Sequence, residues 1–129
     1  MTQYLVLIYE RESGYAEGGP ELFQEIGEAH ARFQGQVAEK GGKILGGNAL
    51  QPTPTATSIR DDVVTDGPFA ETKEFLAGYY LIDCPDLDTA LDHASRMPAV
   101  TYGSVEVRPV WDRSGPMATS RAEIAGAQA

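Results

Sequence analysis

The chain has 129 residues, of which 42% are hydrophobic and 22% are charged, which is ordinary for a globular protein. This length supports one domain with a hydrophobic core and is too short for two. Ten basic and nineteen acidic side chains give a formal net charge of −9, which disfavours nucleic acid and anionic membranes as partners because both require a positive surface. One cysteine and two histidines exclude an internal disulfide and disfavour a structural zinc site.

The first predicted element is a strand. Tyr4 to Tyr9 is continuously apolar and rich in β-favouring residues, which predicts a central strand with both faces covered. The run is far too short to span a bilayer and lacks the basic region and cleavage site of a signal peptide, so we expect a cytoplasmic protein. The polar, glycine-rich residues Glu10 to Gly19 predict a loop.

A helix is predicted over Pro20 to Lys40. Its apolar residues recur at three- and four-residue steps and form one stripe: Leu22, Ile26, Ala29, Phe33 and Val37. Proline suits a first turn, and Gly41-Gly42 ends the helix. His30 lies near the edge of the stripe, where a histidine is either a satisfied buried group or a proton carrier.

A second strand and a hairpin follow. Lys43 to Leu50 begins as a strand, and Gly46-Gly47 within it predicts a bulge or a close backbone approach. Residues 57–60 and 63–65 flank Asp61-Asp62, which is typical of a hairpin turn.

Asp66-Gly67-Pro68-Phe69 begins an unusual connection between two apolar runs. Asp66 can close a turn with its side chain, and the large ring of Phe69 favours packing against the protein. Lys73 and its acidic neighbours place charges beside that ring. The segment is either a functional loop or a single helical turn with Pro68 at its first position.

Leu76 to Cys84 predicts the next strong strand. Alternation assigns one face to Leu76, Gly78, Tyr80, Ile82 and Cys84, and the opposite face to Ala77, Tyr79, Leu81 and Asp83.

Asp86 is the expected N-cap of a second helix, which ends at Pro98. Its predicted buried stripe consists of Leu87, Ala90, Leu91, Ala94 and Met97. His93 falls on the opposite side from this stripe, so we expect it to be exposed and without function.

Ser104 to Val110 predicts a last strand with strict alternation. Glu106 and Arg108 face away from its valines, either as a solvated face with a weak ion pair or as a polar lining closed by a second subunit. The domain is expected to span residues 1–111, and residues 112–129 are expected to form a loose tail.

The predicted fold is α+β: a split βαβ plan with an inserted hairpin, in which two helices cover one face of an antiparallel sheet. The uncovered face favours pairing with a second copy. We therefore expect a homodimer whose two sheets face each other as an α/β barrel.

The run from Asp66 to Glu74, followed by Gly78-Tyr79-Tyr80, resembles the signature of the DGPF proteins within the YCII-related superfamily. The resemblance extends from about Tyr4 to Val110 and includes the closing strand. It implies a ferredoxin-like dimeric barrel with a cleft of small-molecule size. In the superfamily a helix histidine pairs with an aspartate in a proposed acid/base dyad. The spacing of that histidine to two later glycines is kept by His30, Gly41 and Gly47, and Asp66 is the candidate acid.

Two functional hypotheses follow. In the first, His30 transfers a proton on a small cyclic or aromatic metabolite and Asp66 orients its ring. Arg108 attracts an anionic group, and Tyr80 or Tyr79 donates a hydroxyl hydrogen bond. Phe69 and Lys73 complete the expected ligand contacts, and no metal or organic cofactor is implied.

The second hypothesis is a binding or regulatory module that recognises a small molecule, or docks on a transcription factor, without turnover. It follows from the resemblance, because some DGPF proteins are encoded beside alternative sigma factors or fused to them. An acid within hydrogen-bond reach of His30, beside a polar pocket, favours the enzyme.

Overall fold

The computed structural model describes residues 1–67, 74–97 and 99–111; within these ranges the side chains of residues 12–18, 22–23 and 101–102 are not described. The expectations for Phe69, Lys73 and the tail therefore lie outside the described residues. The second helix was predicted to end at Pro98, but it ends at Ala94, because residues 95–97 leave the helix in a turn. None of the helices in the described ranges is long and apolar enough to cross a membrane.

The elements in chain order are β1 (Thr2–Arg11), α1 (Glu12–Glu39), β2 (Lys43–Ala49), a 3-10 turn (Thr53–Thr55), β3 (Thr57–Arg60), β4 (Val63–Asp66), β5 (Glu74–Cys84), α2 (Leu87–Ala94), α3 (Ala99–Tyr102) and β6 (Gly103–Pro109). Four strands form an antiparallel sheet in the order β2-β5-β1-β6, and β3 and β4 form a separate hairpin. The predicted α+β class is confirmed, and this order is compatible with a ferredoxin-like fold.

β1 lies in the centre of the sheet, and its two faces differ. Tyr4, Val6 and Ile8 point toward the helices and are buried, whereas Leu5 and Leu7 on the opposite face are half-buried. The continuous apolar run predicted that both faces of this strand are covered. Within this chain, only the face toward the helices is fully shielded from water.

The helix-covered face of the sheet holds the core, which consists of Tyr4, Val6, Ile8, Phe33, Val37, Ile82, Cys84, Ala90, Ala94, Met97 and Ala99. Both long helices contribute to it, as the predicted stripe of α1 requires.

The predicted loop at Glu10 to Gly19 is wrong. β1 continues to Arg11, and helical structure begins at Glu12. Gly19 interrupts α1 with φ 63° and ψ −165°, a conformation that glycine tolerates, and Pro20 then begins the second segment. The predicted helix start at Pro20 is therefore the start of this second segment. The residues before it carry no apolar periodicity from which a helix could be predicted.

Two local predictions are confirmed. The register of β2 against β5 shifts between Ile44 and Gly46, which is the expected bulge. Asp61 and Asp62 have φ values of 51° and 62°, the left-handed pair that a two-residue hairpin turn requires.

A second bulge overturns the predicted face of Leu76. The register of β1 against β5 shifts between Ile8 and Tyr9, so that Gly78 lies opposite Ile8 while Leu76 lies opposite Tyr9. The extra residue, Ala77, moves Leu76 to the open face, because a one-residue offset reverses the side to which a strand residue points.

α2 begins as predicted, with the Asp86 carboxylate accepting a hydrogen bond from the Thr89 N–H at 2.8 Å. Its orientation differs from the expectation. Leu87 and Leu91 are each 46% exposed, whereas His93 is fully buried. The buried stripe runs through residues 90, 93, 94 and 97, so the prediction that His93 is exposed is wrong. The spacing of apolar residues predicted that the two leucines are buried. In the structure the smaller residues Ala90 and Ala94 pack against the core instead.

Candidate functional site

A cavity of about 350 Å³ lies between α1 and the sheet. α1 contributes Ile26, Gly27, His30 and Gln34 to its wall. β1, β2 and β5 contribute the remaining wall residues: Ile8, Glu10, Gly47, Asn48, Ala49, Ala77, Gly78, Tyr79 and Tyr80. The wall is mainly apolar and carries a few polar groups, as is typical of small-molecule sites.

Glycines determine the shape of this wall. A Cβ atom at Gly47 would lie 2.7 Å from Tyr80 Cδ1, and one at Gly78 would lie 2.7 Å from the Asn48 carbonyl oxygen. These two positions therefore allow β2 and β5 to approach each other closely. At Gly27 a Cβ atom would meet nothing within 4 Å, so the absence of a side chain there leaves space open beside the cavity.

His30 and Tyr80 are joined across the cavity wall. The Tyr80 hydroxyl oxygen lies 2.9 Å from His30 Nδ1, and the two ring centroids are 5.6 Å apart. Phe33, one turn after His30, packs against Tyr80 with ring centroids 4.8 Å apart. The position of His30 beside the apolar stripe of α1 thus directs it toward the sheet, and packing against Phe33 holds Tyr80 within hydrogen-bond distance of it.

Burial keeps both members of this pair neutral near pH 7. Desolvation lowers the pKa of the half-buried His30 below its usual value of 6.5. Desolvation also raises the pKa of Tyr80 above 10.0, an effect that a hydrogen bond from Gln34 opposes. The imidazole is thus available to accept a proton, and the phenol is available to donate a hydrogen bond.

The Asn48 side-chain amide donates to the Tyr79 hydroxyl at 3.0 Å. These two residues pair with each other and Tyr79 lies opposite Leu7, so this hydrogen bond is on the open face of the sheet and not beside His30. Glu10, which is 2% exposed, lines the same cavity from β1. Among the described residues, no group of three or more histidine, cysteine, aspartate or glutamate side chains is arranged to hold a metal ion.

The family model of the YCII-related domain matches residues 2–114. The chain belongs to the YCII-related family. An uncharacterized protein of Rhizobium meliloti (strain 1021) is 40% identical to it over 113 residues, which cover 83% of this chain and 90% of that protein. The family resemblance seen in the Asp66-Gly67 motif and the closing strand is thereby confirmed.

In this YCII-related chain, the predicted dyad residues occupy different places. His30 lines the cavity, whereas Asp66 ends β4, pairs with Thr57 and is exposed. Asp66 is not among the residues that line the cavity, and the hydrogen bond of His30 goes to Tyr80. The pairing of His30 with Asp66 stays a prediction, and the described residues bring His30 to Tyr80 instead.

The predicted ligand contacts also divide. Tyr79 and Tyr80 both border the cavity, but Tyr79 lies opposite Leu7 in the open-face register and its hydroxyl bonds to Asn48 there. Arg108 lies on the open face of β6, opposite Leu5, where its Nε is 3.9 Å from Glu106 Oε2. It therefore lies on the other side of the sheet from His30. The expectations for Phe69 and Lys73 concern residues outside the described ranges.

Glu10 is an acidic wall residue that the sequence analysis did not identify; the polar wall residues Gln34 and Asn48 were also not identified. Glu10 follows Tyr4, Val6 and Ile8 in the inward register of β1, and the prediction ended this strand at Tyr9. An acidic residue in an inward register is a recognisable pattern, because carboxylates are rarely buried without a specific role or partner. Extending the strand by two residues would have revealed it.

Proposed function

We propose that this YCII-related protein is an acid–base enzyme that transfers a proton on a small molecule in the cavity, with His30 as the proton carrier. The observation that carries the proposal is the hydrogen bond between His30 and Tyr80 in the wall of a cavity of about 350 Å³. This volume lies within the range of about 300–1,000 Å³ that is usual for ligand pockets.

In the first step of the proposed reaction, the neutral imidazole of His30 accepts a proton from the ligand. When Nδ1–H donates to the Tyr80 oxygen, Nε2 carries the lone pair and can accept a proton from a C–H group beside a carbonyl. The electron pair of that bond moves into the carbonyl and forms an enolate. The imidazolium then returns the proton to carbon or to a leaving group.

Tyr80 takes the positioning role in this proposal. Its oxygen holds the His30 tautomer, and its own O–H is a donor for the ligand. Asp66 and Arg108 carry no step here, because neither lines the cavity. Phe69 and Lys73 stay predicted ligand contacts.

Exchange of carbon-bound hydrogen in D₂O tests the reaction without knowledge of the natural substrate. A panel of small cyclic ketones and lactones is incubated with the protein, and loss of the C–H signal is followed by NMR. We expect exchange of at least one compound, reduced about 10²–10⁴-fold in His30→Gln, because general acid–base groups contribute on that scale. Exchange that is equally fast in this variant would contradict the role of His30.

Binding without turnover is the second candidate function. It is favoured by the partner of His30, which is a tyrosine rather than the carboxylate of an acid–base dyad. If compounds of the panel shift the His30 ring resonances on binding but show no exchange of carbon-bound hydrogen in D₂O, this alternative is favoured.

The open face of the sheet supports a homodimer, which we propose as the assembled form. This face carries half-buried apolar residues on β1 and β5: Leu5, Leu7, Tyr9 and Leu81. Leu76 is 37% exposed beside them. Two such faces would shield each other as an α/β barrel. A monomer mass in light scattering at micromolar concentration would rule the dimer out.

A further inference from the structure

We infer that the cavity takes a fused bicyclic molecule, with the reacting carbonyl group beside His30 and the second ring over Gly27. The inference rests on the proposed use of the cavity as the ligand site and adds the size class of the ligand. It is compatible with the predicted ligand contacts, because a ring can pack against Phe69 and a carbonyl oxygen can accept a hydrogen bond from Lys73.

The volume of the cavity indicates the size of the ligand. An apolar cavity of about 150 Å³ is large enough to hold one benzene molecule. The cavity beside His30 has about 350 Å³, which is more than twice that volume. A ligand with a single six-membered ring would therefore leave about half of the space to water, whereas two fused rings fill it.

Gly27 and His30 lie on the same face of α1, and both line the cavity. Gly27 is three residues before His30, so the two positions are neighbours on the helix surface. The helical rise of about 1.5 Å per residue places them about 4.5 Å apart along the axis of α1. A ring fused to the reacting ring can reach Gly27 across this offset when the ligand lies along the helix.

The backbone of α1 leaves room for the second ring at Gly27. A Cβ atom there would meet no described atom within 4 Å. Gly27 does not have a positive φ, so its conformation does not require glycine, which is a poorer helix former than alanine. Gly35 shares both properties but does not line the cavity, which makes it the control position.

The wall beside this space is apolar. Ile26 comes from α1, whereas Ile8 and Ala77 come from the sheet, and all three line the cavity. Each is at most 8% exposed. Contact with these side chains removes the apolar surface of a second ring from water, which favours a bicyclic ligand over a monocyclic one.

Two neutral ketones test the size preference: cyclohexanone, which has one ring, and 1-tetralone, which has two fused rings. Each is titrated at pH 7 into the full-length protein, and the His30 ring resonances are followed by NMR. Burial of each further ring carbon raises the affinity by up to about fourfold. We therefore expect 1-tetralone to bind at least about tenfold more tightly than cyclohexanone, because it buries four further ring carbons.

Gly27→Leu and Gly35→Leu form a matched pair of variants. Each adds the same side chain to α1, but only position 27 borders the cavity. We expect Gly27→Leu to weaken the binding of 1-tetralone at least about tenfold, because leucine occupies the space of the second ring. Cyclohexanone should lose less than about threefold in the same variant, since it does not need that space. Gly35→Leu should keep both wild-type affinities.

The outcomes separate the inference from the proposed function. If cyclohexanone binds the wild type as tightly as 1-tetralone does, the inference is wrong, even if Gly27→Leu fails to fold. If 1-tetralone binds a folded Gly27→Leu as tightly as Gly35→Leu, the second ring does not lie over Gly27. If neither ketone shifts the His30 resonances, the cavity is not the ligand site, and the inference fails together with the proposed function. A size preference that Gly27→Leu removes, without exchange of carbon-bound hydrogen in D₂O, supports the inference and contradicts only the enzymatic step.

Discussion

The ring of Tyr80 lies against the backbone of Gly47, so closely that a Cβ atom at position 47 would come within 2.7 Å of Tyr80 Cδ1. The same Cβ atom would also lie 2.9 Å from the Tyr79 carbonyl oxygen, so a side chain at position 47 would clash with the backbone as well as with the ring. Gly47 therefore fixes the place of the Tyr80 ring, and through it the hydrogen bond to His30.

Gly47→Ala should displace Tyr80 and weaken its hydrogen bond to His30. We expect a loss of about 1–3 kcal/mol in the free energy of unfolding, which is typical of overpacking, measured by urea denaturation. The rate at which the protein exchanges the carbon-bound hydrogen of a ligand should also fall, because His30 loses the partner that holds its tautomer. Gly46→Ala is the control, since a Cβ at Gly46 meets nothing within 4 Å. If Gly47→Ala leaves the free energy of unfolding unchanged, the Tyr80 ring is not held in place by Gly47.

Gly27→Leu should separate stability from ligand binding. Gly27 and Gly35 both lie in α1 with open space at the Cβ position, but only Gly27 lines the cavity. Replacing either glycine with leucine should raise the free energy of unfolding by up to about 1 kcal/mol, because glycine is a poor helix former. Only Gly27→Leu should weaken the binding of those cyclic ketones or lactones that shift the His30 ring resonances. Equal affinity in both variants would mean that ligands do not use this part of the cavity.

The sequence was sufficient to predict the α+β class and most of its elements, because the patterns that indicate them are local. The apolar run of β1, the stripe of α1 and the Asp61-Asp62 turn each depend on a few neighbouring residues, and each is present in the structure. The face of Leu76 could not be predicted in the same way. It depends on a bulge that forms only when β5 pairs with β1.

The site was predicted only in part for a similar reason. His30 was identified from its place beside the α1 stripe, and the structure puts it in the cavity wall. Its pairing with Tyr80 joins residues from α1 and β5 that are far apart in the chain, and no local pattern indicates which side chain of β5 will reach the helix. Glu10 was missed because the predicted strand ended at Tyr9, two residues before the end of β1.

The pH dependence of hydrogen exchange should follow the lowered pKa of His30. Burial favours the neutral imidazole, so the active base form should persist below pH 6.5. We expect the acid limb of the rate profile to coincide with the titration of the His30 ring protons in NMR, both below the usual histidine value of about 6.5. A rate that falls with a midpoint above this value would show that another group carries the proton.

His93 should make the protein sensitive to acid. It is fully buried against Phe33, with ring centroids 6.3 Å apart, and neither ring nitrogen has a hydrogen-bond partner among the described residues. Desolvation chiefly lowers its pKa, and the positive charges of Lys40 and Arg96 lower it further, against an opposing contribution from Asp92.

The sign of the effect follows from proton binding. The unfolded chain binds a proton at His93 near the usual pKa of about 6.5, whereas the folded chain resists protonation. The stabilisation is therefore present above about pH 6.5 and is lost as the pH falls toward the folded pKa, by up to about 1.4 kcal/mol per pH unit for one group. Urea denaturation from pH 7.5 to 4.5 measures the change.

His93→Leu should remove most of this dependence. Leucine has no ring nitrogens to leave unpaired, and an unsatisfied buried polar group costs about 1–3 kcal/mol, so the variant should be more stable than the wild type at pH 5. His30→Gln is the companion variant: it removes the only other histidine, which is half-buried, and should change the slope less. If the acid slope disappears in His30→Gln and survives in His93→Leu, the cavity histidine, rather than the core histidine, is the source of acid sensitivity.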